Sequence, residues 1–174
     1  QLDVFAEPVV AIPDPDDVRA DLLAVVRGRG TDGPDQAETA WSALRVRYRR
    51  RLAELAIFDL TSVDPVAIVD LVAASLAELA GAALDAALDL ARQAVSLPEG
   101  ERAFGRFPAS EVEATRLAII GMGKAGASEL NYVSDVDVIF VADVAEGSDL
   151  GTDRAIEIAT RLAMLTMKAI SASS

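Results

Sequence analysis

The 174-residue chain contains no cysteine and no histidine. Disulfides, thiolate or imidazole metal sites, cysteine nucleophiles and histidine general bases are therefore excluded within it. Any metal must be held by oxygen ligands, which favours Mg²⁺, Mn²⁺ or Ca²⁺. Basic residues are few: 16 Lys and Arg stand against 28 Asp and Glu, a net charge of −12. A pI near 4.3 argues against nonspecific nucleic-acid binding. No basic start followed by an apolar segment marks a signal peptide. The longest apolar stretches carry regularly spaced acids, so none reads as membrane-spanning. These absences predict a cytoplasmic protein that engages neither nucleic acid nor membrane.

What is present is apolar: 52% of the residues are hydrophobic, enough for a sizeable core. The length suits one ordinary domain or two small ones. Gln1 is not an initiator Met, and the closing helix runs into Ser171-Ala172-Ser173-Ser174 with no further strand. The expectation is a piece of a longer protein.

Three regions are expected. Residues 1–35 hold Pro8, Pro13, Pro15 and Pro34 among many Asp and Gly residues. They read as loop or linker, with one short helix near 16–27. Residues 36–100 form a helical region. Its first helix, about 38–60, carries apolar Trp41, Leu44, Tyr48, Leu52, Leu55 and Ile57. Its basic run includes Arg45, Arg47, Arg49, Arg50 and Arg51, of which the Arg49 to Arg51 cluster reads as a solvated face or as a contact for a partner subunit. Its second helix starts at Asp64 as N-cap with Pro65 at the first helical position, and runs to about 96. Asp70, Glu78, Asp85 and Asp89 make a polar stripe along it. Two such helices in sequence predict an antiparallel pair. Residues 101–174 then read as a charged connector, strand, glycine loop, strand and helix.

The glycine loop is Gly121-Met122-Gly123-Lys124, after the apolar run Leu117 to Ile120. Asp135-Val136-Asp137 follows after ten residues and opens an apolar strand. Alternation along a strand puts Asp135 and Asp137 on one face, roughly 7 Å apart. Two carboxylates beside a glycine loop suit Mg²⁺ held against a phosphate chain. Val138, Ile139, Phe140 and Val141 predict a strand covered on both faces, with its acids at one exposed tip.

On the glycines alone a second reading fits. Gly121, Gly123 and Gly126 satisfy G-x-G-x-x-G, and Asp143 stands where a ribose-binding acid would in a Rossmann unit. Two points favour the acid pair. A parallel crossover needs a dozen or more residues, and Asn131-Tyr132-Val133-Ser134 reads poorly as helix. A Rossmann fold also binds at the carboxyl ends of its strands, leaving Asp135 and Asp137 remote. Antiparallel strands near 116–121 and 136–142 would instead bring loop and acids together.

The apolar-glycine pattern, the ten-residue gap and the acid-apolar-acid-apolar pattern resemble polymerase-β-like nucleotidyltransferases. The longer string from Gly121 to Asp137 closely resembles the glutamine synthetase adenylyltransferase/adenylyl-removing enzyme family. Arg49 to Leu60 resembles the helical region that precedes its nucleotidyltransferase domains. The resemblance covers roughly residues 41–174. It implies an α+β fold, predominantly helical: long N-terminal helices followed by a truncated nucleotidyltransferase-like unit. It implies an enzyme that attaches AMP to glutamine synthetase in one domain and removes it by phosphorolysis, releasing ADP, in another. Glu129-Leu130-Asn131 is more similar to the N-terminal, removing domain; the transferase domain more often has Glu-Leu-Gly or Glu-Leu-Thr there.

By resemblance, Asp135 and Asp137 hold Mg²⁺ or Mn²⁺. Gly121, Gly123 and Gly126 allow close approach of ATP, ADP or phosphate, or simply turn the chain tightly. Lys124 touches a phosphate or is solvated, and Ser134 meets the nucleotide or caps the turn. Ala125 and Ala127 depart from residues often Leu and Gly. The family also carries a further catalytic acid on a later strand, which this sequence does not contain, so the piece alone is expected to be inactive. Glutamine synthetase and a nitrogen-signalling regulatory protein are the implied partners. A noncatalytic interaction piece remains the other class of function.

Overall fold

A computed structural model describes residues 11–28, 34–98, 100–101 and 103–171. Six helices and two small sheets appear among them. Residues 1–10 and 29–33 of the linker expected over 1–35, and the extreme C-terminus, lie outside the described residues.

Helix α1, Pro15–Arg27, is started by Asp14, whose side chain accepts from the Asp16 amide at 2.8 Å. Pro15 costs nothing at the first helical position because its missing N–H would have had no partner there. Helix α2 spans Pro34–Thr61 and α3 spans Val69–Val95. Asp64 does not begin α3 as expected. Its carboxylate accepts from the Ala67 amide at 3.2 Å and closes a separate turn. The helical ladder opens only with the Val72 amide donating to Ile68.

The antiparallel pairing of α2 and α3 follows from which residues meet. Trp41 and Leu44, early in α2, cluster with Ala86, Ala87 and Leu90, late in α3. Leu55 and Phe58, late in α2, cluster with Val72 and Leu76, early in α3. The alanines of α3 let neighbouring helices approach closely on several sides. Ala82, Ala86, Ala87 and Leu90 are buried, and α1, α2 and α6 all pack on this helix.

By length and composition α3 is apolar enough to cross a membrane, contrary to the sequence expectation. Here its apolar face is spent on protein, and it carries Asp70, Glu78, Asp85, Asp89 and Arg92. Asp85 pairs with Arg19 at 3.1 Å and Asp89 with Arg27 at 3.3 Å, which ties α1 to the polar side of α3. The arginines of α2 are also largely engaged: Arg47 and Arg51 meet Asp21, and Arg50 meets Glu54.

After α3 the chain makes a two-residue parallel pairing between β1, Ser96–Leu97, and β2, Phe107–Pro108. Helix α4, Ala109–Ala114, leads into β3, Thr115–Gly121. Arg92 of α3 fixes this junction, donating to the carbonyls of Val112 at 2.8 Å and Thr115 at 3.1 Å. The short helix α5, Gly123–Gly126, precedes β4, Val138–Val144, and α6, Thr152–Ser171, closes the described chain. Strands β3 and β4 are antiparallel, with Thr115 opposite Val144 and Gly121 opposite Val138. That pairing rules out a Rossmann βαβ unit for this pair, because such a unit needs parallel strands and a packed crossover helix.

One face of the β3–β4 sheet lies against α6. Leu117 joins the cluster of Val95, Phe107, Val112, Ile158 and Leu162. The other face is open: Ile120 is 47% exposed, Ile139 48% and Val141 45%. The expected double cover is therefore wrong for this structure. Among the described residues helices pack on only one side of this sheet, so the continuous apolar run of β4 is half-buried rather than sandwiched.

Candidate functional site

The site is built on the turn that follows β3. Gly123 has φ +53°, a left-handed conformation that side-chain-bearing residues rarely adopt. Its absent Cβ also leaves room beside the acids: a methyl there would lie 4.0 Å from Asp137 Oδ2. Gly126 is needed for a different reason. A Cβ at 126 would collide with the carbonyl oxygen of Gly121, because the turn folds back on the end of β3. Gly121 itself would place a Cβ in ordinary contact, 3.5 Å from the Gly126 nitrogen. Ser128 sits at φ 59°, the one described non-glycine residue in the left-handed region.

The amides of Gly126, Ala127, Ser128 and Glu129 all donate to carbonyls of the turn itself, from Met122 to Ala125. Lys124 is exposed on its outer side.

The acid segment comes back alongside. The Met122 amide donates to the Asp137 carbonyl at 2.8 Å, which prolongs the β3–β4 ladder past Gly121 and Val138. Asp135 and Asp137 precede β4 instead of opening it, a shift of two residues from the expected strand start. Their alternation is nevertheless as expected. Asp135 and Asp137 are exposed, whereas Val136 and Val138 between and after them are half-buried.

Val136 packs with Ala125 against the buried cluster of Leu55, Val72, Leu76, Ala80 and Leu130. Val136 and Val138 also line a cavity of about 280 Å³ against Tyr48, Leu52 and Ala83. A second hollow of about 350 Å³ lies between the glycine turn and Glu78 and Asp85 of α3. Neither acid lines either cavity, so both carboxylates face open solvent.

Between turn and acids the chain is pinned three times. Leu130 is 5% exposed, in the α2–α3 cluster. The Asn131 side-chain oxygen accepts from the Val133 amide at 3.1 Å and from the Ser134 hydroxyl at 2.7 Å. The Tyr132 hydroxyl donates to Asp59 Oδ2 at 3.1 Å, near the end of α2. Partial burial, and then the Asp59 carboxylate, push the Tyr132 phenol up to about 12. Ser134 thus serves the turn, the alternative weighed for it, and its hydroxyl is engaged with Asn131. The Tyr132–Asp59 contact escaped the sequence reading. Its two residues are 73 positions apart, and only the polar Asp59 at the end of an apolar helix hinted at it.

Two exposed carboxylates suit a hard cation that keeps several waters and is completed by phosphate oxygens. Among the described residues no group of three or more acids is placed to hold a metal. The arrangement therefore fits a weakly held Mg²⁺ or Mn²⁺ that needs a phosphate ligand to bind well.

The fold is α+β and predominantly helical, with a glycine turn hydrogen-bonded to an acid-bearing segment. The family model described as Glutamate-ammonia ligase adenylyltransferase matches residues 6–174. A bifunctional glutamine synthetase adenylyltransferase/adenylyl-removing enzyme of Leifsonia xyli subsp. xyli is 58% identical over 94% of this chain and 16% of its own length. A relative of the same name from Cutibacterium acnes is 40% identical over 91% of this chain and 15% of its own. Another, from Streptomyces coelicolor, is 45% identical over 72% of this chain and 11% of its own. The chain belongs to the glutamate-ammonia ligase adenylyltransferase family. It spans about one-sixth of the length of the first two of these relatives. No solved structure matches it significantly.

Proposed function

We propose that this chain carries the metal- and phosphate-binding corner of a nucleotidyltransferase domain that removes AMP from glutamine synthetase, a cytoplasmic enzyme that uses phosphate and releases ADP. The observation that carries the reading is the Met122–Asp137 hydrogen bond, which sets the glycine turn beside the acid pair. The relatives' printed names supply the substrate, glutamine synthetase, and both directions of the chemistry. The removing direction rests on the Glu129-Leu130-Asn131 resemblance.

In this reading Asp135 and Asp137 hold Mg²⁺ or Mn²⁺, which when bound neutralises charge on the phosphates. The amides at 126–129 are spent on the turn, so a phosphate meets those at 123–125 that precede them. Gly121 and Gly123 leave the backbone bare for that approach. Lys124 adds one mobile positive charge in a protein that is otherwise acidic. Catalysis of phosphoryl transfer is mostly positioning and charge neutralisation, so two exposed acids alone are a poor catalyst. The activity therefore belongs to the longer protein, and the 174-residue piece is inactive or nearly so.

The test uses a protein extended to the length of the relatives. ADP release from adenylylated glutamine synthetase is measured with phosphate and Mg²⁺. Asp135→Asn or Asp137→Asn should slow it by on the order of 10²–10³, leaving ATP-dependent adenylylation in place. Loss of adenylylation with ADP release intact would assign the chain to the transferring half. Neither activity changing would end the site assignment.

A further inference from the structure

We propose that Tyr132 is a positioning residue: its hydrogen bond to Asp59 locks the turn at 131–134 onto the end of α2 and so sets where Asp135 and Asp137 stand. The proposal rests on the reading of that acid pair as a metal site. The geometry is specific. Leu130 and Val136 are anchored in the same α2–α3 cluster, and only five residues lie between them. Asn131 and Ser134 close that stretch into a turn through their own side chains and backbone. Such a turn is rigid internally but can still pivot between its two anchors. The 3.1 Å bond from Tyr132 to Asp59 removes that freedom, because it fixes the turn to a different element. Asp135 begins one residue after the turn, so any pivot displaces its carboxylate directly.

The chemistry of the contact suits a positioning role. Asp59 is half-buried and Tyr132 is 40% exposed, so the bond is accessible enough to exchange with water. Its net worth to global stability is therefore small, whereas its effect on a local angle is not. A metal site of two carboxylates tolerates little angular error, because Mg²⁺ demands near-ideal octahedral geometry.

Mn²⁺ serves as probe, titrated into the 174-residue chain and followed by water-proton relaxation. Tyr132→Phe and Asp59→Ala should each weaken binding by about threefold to tenfold, and the double variant should be no weaker than either single, since one contact is removed in each case. Asp59→Asn should stay near the parent, because its amide oxygen still accepts from the phenol. Hydrogen exchange at the Met122 amide, bonded to Asp137, should quicken in Tyr132→Phe without metal. Parent-like Mn²⁺ affinity in Tyr132→Phe overturns the proposal. So do additive losses, or Asp59→Asn failing while Tyr132→Phe binds normally, which would make Asp59 a charge effect. The pair Asp135→Asn/Asp137→Asn separates the two levels: if it binds Mn²⁺ as the parent does, the metal-site reading fails and the positioning role falls with it.

Discussion

The backbone amide of Met122 donates to the carbonyl of Asp137 at 2.8 Å, one step beyond the last paired residues of β3 and β4. This bond makes the glycine turn and the acid segment neighbours. Everything proposed for the site depends on it, and several consequences of the surrounding geometry are open to measurement.

Gly126 and Gly121 should behave differently despite belonging to one motif. Gly126→Ala drives a methyl into the Gly121 carbonyl, and overpacking of this kind should cost about 1–3 kcal/mol. Gly121→Ala meets only ordinary contacts and should stay within about 1 kcal/mol of the parent. Urea denaturation of both variants checks this. If Gly121→Ala then weakens ADP binding in the extended protein, the bare backbone there serves the ligand and not the fold.

Ser128 holds a left-handed conformation with a side chain attached. Glycine adopts φ 59° without that penalty, so Ser128→Gly should raise stability by about 0.5–1 kcal/mol, net of the greater freedom it gives the unfolded chain. A lowered melting temperature would show that the Ser128 backbone is not strained.

Arg92 donates to two carbonyls, those of Val112 and Thr115, whose residues are buried. Arg92→Met should remove the guanidinium donor from the Thr115 carbonyl while the Val112 carbonyl keeps the Thr115 amide, and should cost about 1–3 kcal/mol. Arg92→Lys, with one compact ammonium in place of a fork, should recover only part of that loss. Equal stability of parent and Arg92→Met would show that water replaces the guanidinium.

The phenol of Tyr132 gives a pH signature. Its pKa in the folded chain is pushed from 10.0 to about 12 by burial and the Asp59 carboxylate. The neutral form is the one favoured, so this contribution to stability is complete below pH 10 and fades as pH climbs towards 12. Tyr48 is also raised, by burial. Ultraviolet titration should therefore show little Tyr132 phenolate at pH 10 in the folded chain, and Tyr132→Phe should remove a step near pH 12. With Tyr48 replaced by Phe, half-ionisation of Tyr132 at pH 10 would contradict its burial and its contact with Asp59.

Much of this was legible from local signals. Apolar spacing marked α2 and α3, because a helix that buries one face must repeat apolar residues every three or four positions. The short link before Asp135 pointed to antiparallel strands, since ten residues do not make a parallel crossover. The glycine and acid strings carried the family resemblance, which the match over 6–174 bears out. Other features belong to no local window. Asp64 has the residue type of a cap for α3 yet closes its own turn, with the ladder of α3 opening at the Ile68 carbonyl instead. The apolar run of β4 promised cover on two faces, but helices lie on only one, and sequence periodicity does not count neighbours. The union of Tyr132 with Asp59 spans 73 positions, and only the folding of α2 against the loop after α5 brings them to 3.1 Å. The sequence by itself determined the chemistry on offer, oxygen ligands and bare glycines with no cysteine or histidine, since side-chain chemistry is local. The tertiary structure decided how those residues are aimed, because direction is set by contacts between distant elements.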